Sequence, residues 1–387
     1  VNRFNLGLGW SSALSNIDYT IKAGFGYLGF SKAYSTLLDK AAKEINGSVN
    51  ADVRYYFSPS NSIGAELGVT FAKYSDGREI ILTPANDESR ATPSYLSDLV
   101  SRTAGVASVK PYYMYSMDAF SARLGVNVSH SWYDGGKTHV FPDVKLAITP
   151  ARQFSIGLHL YGGDSQLNSL SSLFAHSHYL NPSLIYAPSW QKWFGDVNVV
   201  IGPFSGATIE LWGGMGKAGN WAMPALIGTD EALRGAYYGM DFKSTHYGMA
   251  FSYKYRDMAS LRLSYEGAPQ GIDKGYTMWS DRAKSVFNAQ LTVSPISALD
   301  ICLGYELRSG RAIYEVGSDS DDIFQGTYYT LHTIGNVNSL NLGATYHITP
   351  QFNVWANVEN LLNSKWEAVY GIPAKGVTGL VGIGYKF

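Results

Sequence analysis

The chain has 387 residues, of which 14% are aromatic and only 16% charged, with 28 Tyr and 41 Gly. Soluble domains carry roughly 25% charged residues, and a formal net charge of −1 gives no electrostatic basis for binding nucleic acid. No apolar run reaches 18 residues, which excludes a membrane-spanning helix and leaves either a membrane β-barrel or a secreted all-β protein such as a sandwich or propeller.

Alternation of apolar with small or polar residues begins at once, with Phe4, Leu6, Leu8 and Trp10. Period 2 marks a strand with two unlike faces. The same pattern predicts seventeen strands, at roughly 3–12, 17–28, 46–58, 62–75, 106–117, 119–133, 138–149, 153–165, 191–202, 206–216, 244–256, 259–268, 283–294, 298–310, 337–348, 351–362 and 376–387. One face collects Ile63, Leu67, Val126, Phe251, Leu303 and their neighbours two residues away. The other collects Glu66, Arg123, Asn127, His159, Lys254, Arg262, Asp300 and Glu306. The reading therefore expects Val126, Phe251 and Leu303 towards lipid, with Asn127, Lys254, Arg262, Asp300 and Glu306 towards a lumen.

The connections alternate in length. Short turns lie at 58–62, 118, 149–152, 202–205, 257–258, 294–297 and 349–350, four of them carrying Ser-Pro or Thr-Pro. Proline cannot donate to a ladder, so it marks where pairing ends. Between them run long connections at 29–45, 76–105, 166–190, 217–243, 269–282, 311–336 and 363–375, with 134–137 the short exception. Short turns on one side and long loops on the other are the rhythm of an outer-membrane barrel. A propeller would show a motif repeating every 40–50 residues, roughly, which is absent. Tyr55, Tyr56, Phe57, Phe120, Phe154, Tyr255, Tyr346 and Phe352 gather beside the short turns, where rings suit the headgroup level.

No catalytic constellation is present: there is no nucleophile elbow, phosphate loop or zinc-protease helix. The reading is a non-enzyme without a cofactor. His176 and His178 place two imidazoles on one strand-like face without a third ligand. Asp319, Asp321 and Asp322 lack the spacing of a calcium loop and read as a solvated run. The single Cys302 excludes an internal disulfide and reads as a small inert side chain on the polar face. Aromatics expected in outer loops, Trp212 and Trp221 around the stretch 213–220 and Trp279 further on, are the ligand or partner candidates, together with His176 and His178.

Near the C-terminus the residues resemble a family. Asn357-Val358-Glu359-Asn360-Leu361-Leu362-Asn363, then Trp366-Glu367, Tyr370-Gly371-Ile372-Pro373, Gly376 and Gly384-Tyr385-Lys386-Phe387 are similar to the last hairpin of TonB-dependent outer-membrane receptors, in phrasing closest to Bacteroides-group members. Tyr179-Leu180-Asn181-Pro182-Ser183-Leu184 resembles an outer-loop segment of that family, whereas Val377 stands where the family usually has arginine. The resemblance implies a barrel of 22 strands filled by a plug, sited in the outer membrane. It also implies Tyr385 and Phe387 as the signal read during membrane insertion.

With seventeen strands and Phe387 at the periplasmic end, strand parity puts Val1 at the outer rim. No signal peptide opens the chain. The expectation is one barrel domain over 1–387, with N-terminal strands and any plug lying ahead of it. The function implied is binding and import of a large nutrient. Its partners would be outer-membrane lipid, TonB, and a surface lipoprotein or other outer-membrane subunits. The alternative is a plugless barrel that binds partners within an outer-membrane complex.

Overall fold

The computed structural model describes residues 2–31, 43–75, 101–132, 136–167, 169, 171, 188–227, 234–267, 270–272, 283–318 and 327–386. Among the described residues twenty-three strands follow one another. They are β1 (Asn2–Leu14), β2 (Ile17–Gly29), β3 (Lys43–Ser58), β4 (Asn61–Ser75), β5 (Ser101–Met117), β6 (Phe120–Ser131), β7 (Lys137–Ala151) and β8 (Phe154–Tyr161), then β9 (Ser165–Gln166), β10 (Ser189–Phe204), β11 (Ala207–Ile227), β12 (Arg234–Tyr255), β13 (Ala259–Gly267) and β14 (Gln270–Ile272). After these come β15 (Ser285–Ile296), β16 (Leu299–Ser309), β17 (Arg311–Ser318), β18 (Thr327–Ile334), β19 (Val337–His347), β20 (Phe352–Glu359), β21 (Glu367–Val369), β22 (Ile372–Pro373) and β23 (Thr378–Tyr385).

Seventeen of these form one antiparallel meander in the order β1 to β8, β10 to β13, β15, β16, β19, β20 and β23, each paired with the next. These are the seventeen strands expected from period 2. Among the described residues β1 pairs only with β2, and β23 only with β20. Both edge strands run the same way, because an even number of reversals separates them.

Register fixes the faces, since residues directly opposite share a side of the sheet. Leu303 faces Leu291 and Leu342, and Phe251 faces Ile209 and Leu263. Following the ladder through Val199, Ile156 and Ile148 to Phe120 brings Val126 onto the same side. This apolar face carries exposed large hydrophobics from Phe4 and Leu8 at one edge to Val381 and Ile383 at the other. In water such a face would be untenable for a monomer; in lipid it is the ordinary solvent-contact surface.

Among the exposed rings on this face, Tyr55, Phe57, Phe120, Tyr255, Tyr346 and Tyr385 lie beside the short turns, and Phe4, Phe25, Phe71 and Tyr247 lie further along the strands. Phe57 stacks on Tyr113 at 6.4 Å, and Tyr115 tilts against Phe120 at 6.3 Å. Tyr56 departs from that belt. It points to the polar face, where its hydroxyl donates to Asp18 Oδ2 at 2.6 Å.

The composition has a local cause. A Cβ at Gly219, Gly248 or Gly382 would collide with the indole of Trp190, Trp212 or Trp355 on the neighbouring strand. Glycine clears the surface and the ring lies down across the strand pair. Tyr112 does the same over Gly64, and Phe71 over Gly47. Not every proline marks the end of a strand. Pro111 and Pro142 lie inside β5 and β7, and the β5–β6 pairing is interrupted between Val109 and Tyr112, where the missing N–H falls.

Two expected loops are largely strand. The connection 217–243 is the continuation of β11 and β12, which pair as far as Ile227 with Arg234. The connection 311–336 holds the β17–β18 hairpin, and β17 pairs in parallel with β11 at Leu226–Glu315 and Ile227–Val316. The last long connection folds against that hairpin. Arg311, buried beneath it, donates to the carbonyls of Glu367 (2.7 Å), Ala368 (2.6 Å) and Gly335 (3.2 Å). Tyr370 packs on Ile313 and Ile334. Asn360, with φ of 53°, holds the loop base by accepting from Ser364 N and donating to Ser364 O and Lys375 O.

Candidate functional site

The polar face is built by the residues that alternate with the apolar ones. One rung of the ladder reads Thr20, Asp52, Glu66, Lys110, and another reads Arg123, Lys145, His159, Asp196, Gly214, His246. Such side chains on adjacent strands stand within reach of one another, so opposite charges pair. Arg123 bridges Glu66 at 2.6 Å and Asp143 at 3.3 Å, and its guanidinium lies 3.9 Å over the Tyr112 ring. Tyr112 donates to Asp52 at 3.1 Å, and His159 Nε2 sits 2.8 Å from Asp143. Beyond them His159 stacks on Tyr161 at 4.2 Å, and Tyr161 on Phe194 at 5.6 Å.

The pairing continues around the sheet. Arg262 holds Glu210 with both guanidinium nitrogens, at 3.1 and 3.0 Å. Asp300 accepts from Ser294 and lies 2.9 Å from His347 Nε2. Glu306 pairs with Arg308 at 2.7 Å, and Lys254 with Asp257 at 2.9 Å. This face therefore offers charge of both signs, locally neutralised. Among the described residues no group of three His, Cys, Asp or Glu could hold a metal ion.

Two polar recesses open on this face. One, about 420 Å³, is lined by Thr20, Lys22, Asn50, Glu66, Ser108 and Lys110, among others. The other, about 400 Å³, is lined by amides, Asn288, Gln290, Asn341 and Asn357, with Cys302 and Glu306. Cys302 accepts a hydrogen bond from Gln290 at 3.4 Å.

The strand expected over 153–165 ends at Tyr161, and the residues after it run across this face. After Tyr161, β8 stops pairing with β10 and the chain turns at Gly162 and Gly163, the latter with φ of 72°. Asn127 Nδ2 donates to Gly162 O at 2.7 Å, and Ser129 Oγ donates to Gly163 O. Lys110 pairs with Asp164 at 2.7 Å. Further on, Ser171 N donates to Glu44 at 3.0 Å, and Asn46 Nδ2 donates to Ser171 Oγ at 2.9 Å. On the opposite side β9 pairs with the start of β10, and Gly163 and Asp164 exchange backbone bonds with Gln191. Asn127, Ser129 and Glu44 are 0–1% exposed. Asn127 thus shares a face with Lys254, Arg262, Asp300 and Glu306, but this segment covers it. The Gly-Gly pair was the one local signal; the anchors come from strands 30 or more residues away.

The other expected site residues scatter. Trp212 lies on the polar face across Gly248, within β11 rather than in a loop. Trp221 also belongs to β11, one residue past a bulge at Asn220, whose φ is 48°. The stretch 213–220 is strand throughout, because its glycines accommodate rings from β10 and β12. Tyr385 lies on the apolar face opposite Phe352. His176, His178, Trp279 and Phe387 lie outside the described residues, as do Asp319, Asp321 and Asp322.

No family model matches the sequence, and no curated protein matches it. Solved structures match its fold. The FrpB iron transporter from Neisseria meningitidis, in an apoprotein form, superposes with a TM-score of 0.68 at 11% identity, over 100% of this chain and 64% of that one. The siderophore receptor PirA from Acinetobacter baumannii gives 0.66 at 9%, over 100% and 62%. The pyoverdine outer membrane receptor FpvA from Pseudomonas aeruginosa, bound to pyoverdine, gives 0.62 at 11%, over 99% and 61%. The fold is that of a transmembrane antiparallel β-barrel, and the chain spans less than two thirds of the length of each of these proteins.

Proposed function

We propose that this chain is the barrel wall of an outer-membrane receptor of the TonB-dependent type, which takes a large solute along its polar face. The carrying observation is the division of one seventeen-strand meander into an exposed apolar face and a face of paired charges, polar recesses and horizontal rings. In this reading the apolar face meets lipid and the polar face lines the lumen. An unpaired backbone group in hydrocarbon costs several kcal/mol, roughly, and the meander pairs each of its interior strands on both sides. The short turns face the periplasm and the long loops face outward.

The likeness to iron, siderophore and pyoverdine proteins supports a receptor role and supplies the first probes, ferric siderophores. The test is made on the full-length protein in its own outer membrane. Binding of a bulky solute that is lost on deleting the gene, with uptake that is lost also on dissipating the proton gradient, supports the reading. A protein recovered only from the soluble periplasm, or one whose mobility on gels is unchanged by heating, would refute the membrane barrel itself.

A further inference from the structure

We infer that a groove on the apolar face, across β3 to β6, seats the end of a phospholipid acyl chain. The inference rests on the reading that this face meets lipid. The groove has a volume of about 790 Å³, within the ~300–1,000 Å³ of small-molecule sites. Its floor is one rung of the ladder, where two short side chains stand together. Ala65 lies opposite Val53 on one flank and Pro111 on the other. Beside Pro111 the β5–β6 ladder is interrupted, and Val126 stands across the gap. Gly64 and Gly125 bring no side chain to the lining.

The flanking rungs are taller. Tyr55, Ile63, Tyr113 and Leu124 rise towards the short turns, and Leu67 and Val109 on the other side. The Tyr113 ring is tied away from the floor: its hydroxyl donates to Asn61 Oδ1 at the turn, and the ring stacks on Phe57 at 6.4 Å. Tyr112 turns to the polar face, over Gly64. Ala65 is the fifth residue of β4, and Pro111 is the seventh from the end of β5. At ~3.4 Å per residue and a tilt of ~40°, they lie about 13–18 Å from the short turns, near the middle of an apolar band ~25 Å tall. That is the depth at which acyl chains end. The lining is apolar apart from its phenol hydroxyls, so it is no seat for water. Left empty, it would forfeit the contacts of its walls. A second folded surface would need a ridge of matching shape, whereas a flexible chain needs none, and the groove is continuous with the exposed apolar face around it. An acyl chain seated there touches a floor and two walls, where the flat face offers it one side only.

The experiment uses the full-length protein in vesicles containing a phospholipid with a diazirine near the end of one acyl chain. After irradiation, the adducts are mapped by mass spectrometry of peptides. Leu303 and Leu342, on the same face at about the same depth, are the internal reference. Adducts around Val53, Ala65, Pro111 and Val126 should exceed those around the reference leucines severalfold. Ala65→Phe, which fills the floor, should abolish that excess and leave the reference unchanged, with heat-modifiable gel mobility showing that the variant is folded. Equal labelling of both regions in the parent, or an excess that survives Ala65→Phe, would overturn the inference. Labelled leucines beside an unlabelled groove would mean that another surface, such as a second copy of the chain, covers it, and would overturn it too. If neither region is labelled in the folded protein, the apolar face does not meet lipid, and the membrane reading fails with the inference.

Discussion

Leu303→Arg set against Cys302→Arg tests the assignment of faces with neighbouring residues. Leu303 is the fifth residue of β16, on the apolar face between Leu291 and Leu342. Five residues from the turn at ~3.4 Å each place it about 17 Å along the strand. With strands tilted by ~40°, that is about 13 Å of depth, half of an apolar band ~25 Å tall. An arginine at that depth on the lipid side costs about 2–4 kcal/mol, a factor of roughly 30 to 700 in the folding equilibrium. Cys302 points the other way, into the recess of about 400 Å³ lined by Gln290 and Glu306. There a guanidinium has room, water and a carboxylate nearby, and the expected change is about 0.5 kcal/mol or less. Both variants are unfolded in urea from lipid vesicles, with the folded fraction read from gel mobility. Equal costs at the two positions, or a larger cost at 302, would refute the assignment of lipid and lumen.

Three further outcomes follow from the described contacts. Asn360→Ala removes three side-chain hydrogen bonds and leaves a non-glycine residue at φ of 53°. It should loosen the loop 361–376 by about 1–3 kcal/mol, seen as faster protease cleavage there with the barrel still heat-modifiable. Gly248→Val forces the Trp212 indole off the neighbouring strand and should cost about 1–3 kcal/mol, measured in the same urea titration, whereas Gly304→Val, whose would-be Cβ meets nothing within 4 Å, should cost less. Deleting Phe387 should cut the amount of protein assembled in the membrane severalfold while the inserted fraction melts almost as before. Normal insertion with a lowered melting point would make that ring a packing residue only.

The wall was legible because its cause is local. A strand between two unlike solvents must alternate, so Phe251 against Lys254 or Leu303 against Asp300 can be read without knowing any partner strand. The upper half of the β11–β12 hairpin was not, because Gly213, Gly214, Gly216 and Gly219 erase the alternation and imitate a loop. Their reason, the Asp196 carboxylate and His246 ring against Gly214, the Phe194 ring against Gly216 and the Trp190 indole against Gly219, belongs to the adjacent strands. The Arg311 clamp was hidden for the same reason: its acceptors are backbone carbonyls, which carry no residue signature. The crossing segment joins residues as far apart as Asn46 and Ser171, and nothing at either position announces the other.

The indoles laid across glycines also give the molecule an internal clock. Trp190 spans β10 and β11, Trp212 spans β11 and β12, and Trp355 spans β20 and β23. Each ring meets its neighbour's backbone only when that particular pair of strands is zipped in register. With the other tryptophans replaced, the emission of one indole during insertion into vesicles would timestamp the closing of one seam. Comparing Trp355 with Trp190 would then tell whether the sheet grows from its C-terminal edge or from its middle.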